Sequence, residues 1–235
     1  MTVQKELNPA RFLEGIAEIS KAVMEQEYIE DILKLIVEVT AKVTGSRICS
    51  ILLLDKKTSE LVVRASRTDS GTTYNQKSPT PMGKGIAGRV AQTNCPIKVL
   101  DVRKDPRFLN KKVAVADGLV SLLSVPMSVN REVIGVINCY TSEEYDFTTE
   151  DVQMLTAVAS QSAIVLRNTE LRIMKEIVEK ELEERKTIER AKEILADRKA
   201  VSGKQAFELM RKQAMNKRMP LAKIAESIIL AASFD

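Results

Sequence analysis

Apolar residues recur at helical spacing twice near the start of the chain, over residues 9–26 and again over residues 28–43. The second stretch sets Ile29, Ile32, Leu33, Ile36, Val37 and Thr40 on one face, and Gly45 closes it. Both stretches read as amphipathic helices. The period then shortens. Residues 47–54 are rich in β-formers, and residues 61–67 alternate after a turn at 55–59, so the two should pair as a hairpin. Residues 68–81 are polar and read as a loop. Residues 83–91 carry small side chains and predict a short helix. Residues 96–100, 122–128 and 133–140 predict further strands, with Asn130-Arg131 at the turn between the last two. Strands joined by short turns, with helices gathered at both ends, predict an α+β unit built on an antiparallel sheet.

The next stretch changes character. Residues 148–198 contain no Gly or Pro, and Thr148 with Asp151 makes a variant of the capping box, so one long helix is predicted. Its apolar seam starts with Leu155, Ser162, Val165, Leu166 and Thr169. It continues through Leu171, Met174, Val178 and Leu182 in steps of three and four. Such length and spacing predict a parallel coiled coil between two copies. The alternative is a single helix that caps the sheet and then protrudes. Ile188, Ala191, Ile194 and Leu195 carry the pattern to an end near Lys199. Ser202 and Gln205 then form a capping box. Ala206, Leu209, Met210 and Ala214 mark a second helix, Pro220 suits the first turn of a third, and Leu221, Ile224, Ala225, Ile228 and Ile229 give that helix its stripe. The chain thus ends in a three-helix bundle of about forty-five residues, too small to enclose much apolar area alone.

Charge separates these regions. Between Arg185 and Lys223 there are twelve Lys and Arg against Glu189, Glu193, Asp197 and Glu208, a local charge of +8. The whole chain is +4, so the remainder is −4. A basic terminal bundle on a mildly acidic body points to a polyanionic partner. Composition narrows the chemistry further. Histidine is absent, which excludes His-ligated haem, Cys/His zinc and Ser-His-Asp catalysis. Cys49, Cys95 and Cys139 are odd in number and widely spaced, with no CxxC, which predicts a reducing, cytoplasmic setting and no metal site or cofactor. Residues 1–11 are mostly polar and show no signal pattern, and no apolar run approaches the ~20 residues of a membrane span.

Two resemblances follow from the motifs. Gly83-Lys84-Gly85-Ile86-Ala87-Gly88-Arg89-Val90-Ala91, Asp101-Val102-Arg103-Lys104-Asp105-Pro106-Arg107-Phe108, Ser124-Val125-Pro126-Met127 and Val133-Ile134-Gly135-Val136-Ile137 resemble a GAF domain, a small-molecule sensory fold, over residues 9–168. The run from Arg185 to Leu195, the run from Ser202 to Met215, and Leu221-Ala222-Lys223-Ile224-Ala225 resemble an ANTAR domain over residues 183–231. A connector helix, residues 148–198, overlaps both. The second resemblance implies a three-helix RNA-binding module of bacterial antiterminators, acting as a homodimer on paired stem-loops in a leader transcript. Two positions depart from that family's pattern: Glu193 stands where Gly is usual, and Ala214 where Ser is frequent.

The candidate RNA contacts are Arg185, Lys186, Arg190 and Lys192, then Arg211, Lys212, Lys217 and Arg218. Lys192 is placed by motif position and the others by charge on the family's basic surface. A small-molecule ligand, if the sensor takes one, is expected between the sheet and residues 101–119, where Arg103, Arg107, Phe108 and Asp117 lie. The alternative there is that Arg103 and Asp105 fix the loop by local pairing. Some GAF proteins reduce free methionine sulfoxide with a Cys inside the Gly-rich helix start. Ala87 holds that place here, and Cys95 is displaced toward the next strand. A binding regulator is therefore expected, with no catalytic residues. The rivals are a sensory scaffold whose C-terminal helices bind a protein, and a sulfoxide reductase.

Overall fold

The computed structural model describes residues 9–25, 28–67 and 78–233. Helices α1 (Pro9–Glu25) and α2 (Ile29–Thr44) lead into strands β1 (Ile48–Asp55) and β2 (Glu60–Arg67). Helix α2 stops because Gly45 turns left-handed at φ 58°, a conformation that a Cβ disfavours. Strand β3 (Thr80–Pro81), helix α3 (Gly85–Thr93), strand β4 (Ile97–Val99) and helix α4 (Lys111–Ala116) precede the hairpin of β5 (Leu122–Val129) and β6 (Glu132–Tyr140). The strands form one antiparallel sheet in the order β3-β2-β1-β6-β5-β4. The α+β reading holds.

The sheet is buried on both faces. On one face, Cys49, Ile51, Leu123, Val125, Ile137 and Cys139 pack under α1, α2 and the start of helix α5 (Thr149–Lys199). On the other, Ile48, Leu122 and Tyr140 meet Ile86, Phe108, Ala114 and Leu119, while Leu52, Leu61 and Val136 meet Val90 and Ala91. Alternation along the strands sorts side chains between these two cores. Residues 101–119, expected to be loop, contain α4. Leu119 N–H closes its end on Ala114 C=O at 2.8 Å. The polar loop expected at 68–81 ends in β3; residues 68–77, like Gln26, lie outside the described residues.

Helix α5 begins as the capping pattern predicts. The Thr148 hydroxyl accepts from Asp151 N–H at 3.1 Å, and Asp151 Oδ2 accepts from Thr148 N–H at 2.8 Å. The same carboxylate accepts from the Tyr145 hydroxyl at 2.8 Å. Burial and this carboxylate push the Tyr145 phenol up to about 12, so it stays a donor.

The chain divides into two compact units, residues 1–170 and 171–235, with α5 contributing to both. This corrects the coiled-coil seam. Leu155, Ser162, Val165, Leu166 and Thr169 are at most 2% exposed, buried in the first unit's own core. The hydroxyls of Ser162 and Thr169 donate to the carbonyls of Val158 and Val165, so even these polar side chains need no partner chain. From Leu171 onward the stripe is open: Leu171, Met174, Ile177, Val178 and Leu182 are 49–60% exposed.

The second unit packs the end of α5 with helices α6 (Gly203–Lys217) and α7 (Leu221–Ala232) around Ala191, Met210, Ala214, Ile224 and Ala225. Ser202 and Gln205 form the full capping box expected at the start of α6. Both turns of this unit use a non-glycine residue in the left-handed region, Ala200 at φ 50° and Arg218 at φ 51°. Each turn is closed by two backbone bonds, Val201 N–H to Ala196 C=O and Ala200 N–H to Asp197 C=O in the first, Met219 N–H to Ala214 C=O and Arg218 N–H to Met215 C=O in the second. A left-handed alanine costs about 1–2 kcal/mol, partly offset because glycine loses more entropy on folding. Ala200→Gly should therefore stabilise the second unit by roughly 0.5–1 kcal/mol in urea denaturation. A loss of stability would mean that this turn is not held left-handed.

Candidate nucleic-acid interface and sensor recess

The basic residues sit on the outside of the second unit. Its core takes Ile188, Ala191 and Leu195 from α5, so helical periodicity turns Arg185, Lys186 and Arg190 outward, and all three are exposed. Lys192 follows Ala191 and is only 26% exposed. Its aliphatic stem runs toward Gly203, where a Cβ would lie 3.8 Å from Lys192 Cε, so the stem lies over the start of α6. Its ammonium pairs with Glu189. On α6, Ala206, Met210 and Ala214 face inward, which leaves Arg211, Lys212 and Lys217 exposed, with Arg218 exposed in the turn after the helix. Lys204, Glu208, Leu209, Arg211, Lys212 and Met215 line an open groove along α6, so cationic heads alternate there with exposed apolar side chains.

These cations are only lightly neutralised. Lys186 pairs with Glu183 at 2.8 Å and Arg211 meets Glu208 at 4.0 Å, both exposed contacts three residues apart on one helix. Exposed pairs of this kind contribute little, about 0–1 kcal/mol, so a phosphate can displace them. Glu193, the departure from the motif, is also exposed and so adds negative charge to the surface beside Lys192.

In the first unit, the four residues expected to meet a ligand do not converge. Arg103 binds Asp101 through two bonds of 2.8 Å, and Arg107 binds Asp105 at 2.6 and 3.0 Å. The local-pairing alternative describes both arginines, with Asp101 as the partner of Arg103. Asp101 is 5% exposed and also meets Lys104 at 3.2 Å. Hydrogen bonds from Arg103 hold its carboxyl well below the usual range, and Arg107 lowers Asp105 likewise. Asp117 is exposed at the end of α4. Phe108 alone of the four lines a recess, where its ring meets Tyr140 edge-on at 6.3 Å.

That recess lies between the sheet and residues 108–110, lined also by Gly85, Ile86, Ala87, Leu122 and Asn138. Its volume is only about 30 Å³. Gly85, at φ 64°, lets Leu109 settle against the start of α3, where a Cβ would come within 2.9 Å of the Leu109 side chain. Gly88 lets α3 approach β3, where a Cβ would stand 2.4 Å from Pro81 O.

Sequence reasoning missed the polar side chains on the sheet. Ser50 pairs across β1 and β6 with Asn138, which pairs across β6 and β5 with Ser124. The three form one row on the α3 side and are at most 4% exposed. The available signal was a single polar residue at an inward position of each otherwise apolar strand.

The cysteines offer little chemistry. Cys49 and Cys139 touch at 3.3 Å in the opposite core, and their mutual hydrogen bond and burial push the Cys49 thiol well up. Cys95 is exposed in the turn after α3 rather than on a strand. Among the described residues, no three His, Cys, Asp or Glu side chains gather closely enough for a metal ion. No helix among them is long and apolar enough to cross a membrane.

A sheet with a small recess on one face, joined through a long helix to a basic three-helix unit, has the layout of a sensor with an output module. Comparison with known proteins agrees. Residues 26–167 match the GAF domain model and residues 176–229 match the ANTAR domain model. The chain belongs to the GAF-domain family and carries an ANTAR domain behind its sensor, an arrangement that fits a regulatory role. It is 33% identical over 84 residues to the Nif-specific regulatory protein of Herbaspirillum seropedicae, a match spanning 34% of this chain and 16% of that protein. The GAF domain of a phosphoenolpyruvate-protein phosphotransferase from Coxiella burnetii superposes with a TM-score of 0.59 at 20% identity, covering 70% of this chain and 98% of that one. Free methionine-R-sulfoxide reductase from Neisseria meningitidis superposes at 0.58 with 19% identity, covering 68% and 91%. At these identities the superpositions speak for the fold alone.

The Asp101 pairing gives a pH dependence. Its folded pKa lies below the ordinary value of 3.8, so the pairing stabilises fully above that value and is lost as pH falls through the folded one. Asp101→Asn should lower the first unit's melting temperature at neutral pH. It should also flatten the decline in stability between about pH 5 and pH 2. Parallel pH profiles for the variant and the parent would show that this ion pair contributes nothing.

Proposed function

We propose that this chain is an RNA-binding regulator of transcription antitermination that acts as a homodimer, with its GAF unit answering a chemical signal. The observation that carries the reading is the ANTAR match over residues 176–229, which coincides with a folded three-helix unit bearing the chain's densest positive charge. Arg185, Lys186, Arg190 and Lys192 on α5, with Arg211, Lys212, Lys217 and Arg218 on and after α6, clamp phosphates. The arginines also stack on splayed loop bases. Two such surfaces hold tandem stem-loops in a nascent leader, which keeps a terminator hairpin from forming. The action is binding, without covalent chemistry. Ala87 at the position of the reductase thiol, and the burial of Cys49 and Cys139, support that reading.

Dimerisation rests on the open stripe from Leu171 to Leu182, since an apolar stripe of that length on a helix calls for a partner. Its steps of three, four and four residues, Leu171 to Met174 to Val178 to Leu182, suit a parallel pairing of two copies. Replacing Leu171 and Val178 together by Lys should give a monomer by analytical ultracentrifugation, because seam charges lose water without gaining a partner. A parent chain that is already monomeric at tens of micromolar would contradict the pairing.

RNA recognition is tested by reversing charge at Lys192 and Arg211 together. Affinity for a tandem-hairpin RNA should fall more than tenfold, with unchanged circular dichroism. The slope of log affinity against log salt should shrink by about 1.4, at about 0.7 per lost phosphate contact. Unchanged affinity and slope would place RNA contact elsewhere. Binding without salt dependence would favour a protein partner instead.

A further inference from the structure

Three turns of the first unit meet at a second recess, open to solvent. The β1–β2 turn brings Lys56 and Ser59, the end of α3 brings Gln92 and Asn94, and the β5–β6 turn brings Arg131 and Glu132. Leu54, Met82, Ala91 and Val133 complete the wall. Its volume is about 340 Å³, against about 30 Å³ for the recess beside residues 108–110. Small-molecule sites start at about 300 Å³. Arg131 is the lining residue that the fold does not explain. Asn130 and Arg131 form the two-residue turn between Val129 and Glu132, with φ of 51° and 68°. A hairpin turn with both central φ values positive favours Asn followed by Gly, and Asn130 fits that rule. Arginine in the second place carries the strain of a Cβ in the left-handed region. Its side chain is exposed, and among the described residues nothing bonds to it or pairs with it. Strain kept without a structural benefit points to a use for the side chain.

We propose that this recess binds a small monocarboxylate with a short apolar body. The inference deepens the reading of the first unit as a sensor and rests on it. The Arg131 guanidinium offers a planar pair of N–H donors that matches the two oxygens of a carboxylate. Lys56 adds a second cation. It pairs with Glu132, but the two side chains are 57% and 50% exposed, and such a surface pair contributes little. Glu132 also meets Arg167 of α5 at 3.8 Å, so it keeps a cation when a ligand draws Lys56 away. Lys56 and Arg131 against Glu132 leave a net charge of +1 among the described lining residues. That balance suits one negative charge, and Glu132 repels a dianion. Leu54, Met82, Ala91 and Val133 make part of the wall apolar, which favours a ligand with a hydrocarbon body over a bare phosphate.

The test titrates the full chain with butyrate, with neutral butyramide of the same shape, and with inorganic phosphate, read by calorimetry and backbone-amide NMR. Butyrate should bind at least tenfold more tightly than either of the others and should shift the amide signals of Gln92 and Val133. Arg131→Gln should weaken butyrate tenfold or more with an unchanged melting temperature. Arg131→Gly should weaken it as much while the melting temperature rises by a few degrees, because glycine relieves the turn. A fall in melting temperature for Arg131→Gly would mean that the arginine is structural and would overturn the proposal. So would equal binding of butyramide or phosphate, or no butyrate binding to the parent chain. Butyrate binding that survives Arg131→Gln would put the sensing site elsewhere in the first unit, overturning this site and leaving the sensor reading in place. Affinity for tandem-hairpin RNA, measured in parallel without probe, reports on the second unit separately.

Discussion

Burial of the central strands on both faces is the constraint from which the rest of the first unit follows. Strands β1, β6 and β5 carry one core under α1, α2 and α5 and another under α3 and the segment around α4. A sheet covered on both sides leaves no strand position where a polar side chain reaches water without cost. The strands are accordingly apolar almost throughout, and each exception must be satisfied or used. The thiols of Cys49 and Cys139 satisfy each other within the helix-covered core. On the other face Ser124 donates to Asn138, while Ser50 Oγ has no hydrogen-bond partner among the described residues. The asymmetry distinguishes the two faces chemically. One is sealed by helices, and the other ends in a small recess beside residues 108–110.

The same constraint gives α5 its two characters. Its first turns must complete the helix-side core, so Leu155, Val158, Ala159, Ser162 and Leu166 are withdrawn from solvent. Their small and hydroxylated members suit close approach to a sheet and bond back to their own helix. After Thr169 the sheet has ended, but the helix continues with Leu171, Met174, Ile177, Val178 and Leu182 still on its surface. The stripe therefore changes partner along one unbroken helix. Periodicity alone could not mark that change, because both halves show steps of three and four. Only the extent of the sheet fixes where the core stops needing the helix.

Much else was legible. Hydrophobic period located all five longer strands and every helix except α4, and the capping boxes at Thr148 and Ser202 fixed two helix starts. The short helix was hidden because Lys111 to Ala116 is too brief for a period to emerge, and its single buried residue, Ala114, carries little hydrophobic signal. The local pairing of the loop arginines was hidden for another reason. Arginines on a long segment look like ligand contacts in sequence, yet each has an aspartate two residues earlier within reach. That local pair forms at small entropic cost, whereas the polar row on the sheet is drawn from strands far apart in sequence. Ser50, Ser124 and Asn138 come together only through strand register, which sequence pattern leaves open until both neighbours of β6 are known.

Electrostatics in the second unit follow a different logic from those in the first. Asp101 is buried and held by Arg103 and Lys104, so removing Arg103 leaves a buried carboxylate with less of its pairing and the cluster behaves as part of the fold. Lys186, Arg211 and Lys223 meet acids three residues away, but at exposed sites where water competes. Such pairs restrain side chains weakly and can exchange a carboxylate for a phosphate without disturbing the core of Ala191, Met210, Ala214, Ile224 and Ala225. Lys192 stands between these cases. Its stem is held over the start of α6 while its ammonium has an exposed acid as partner, so its charge is positioned before any ligand arrives. A cation already positioned by packing loses less rotamer freedom when it meets a phosphate than one on a free side chain. Lys192, the candidate placed by motif, is also less exposed than the seven candidates placed by charge alone.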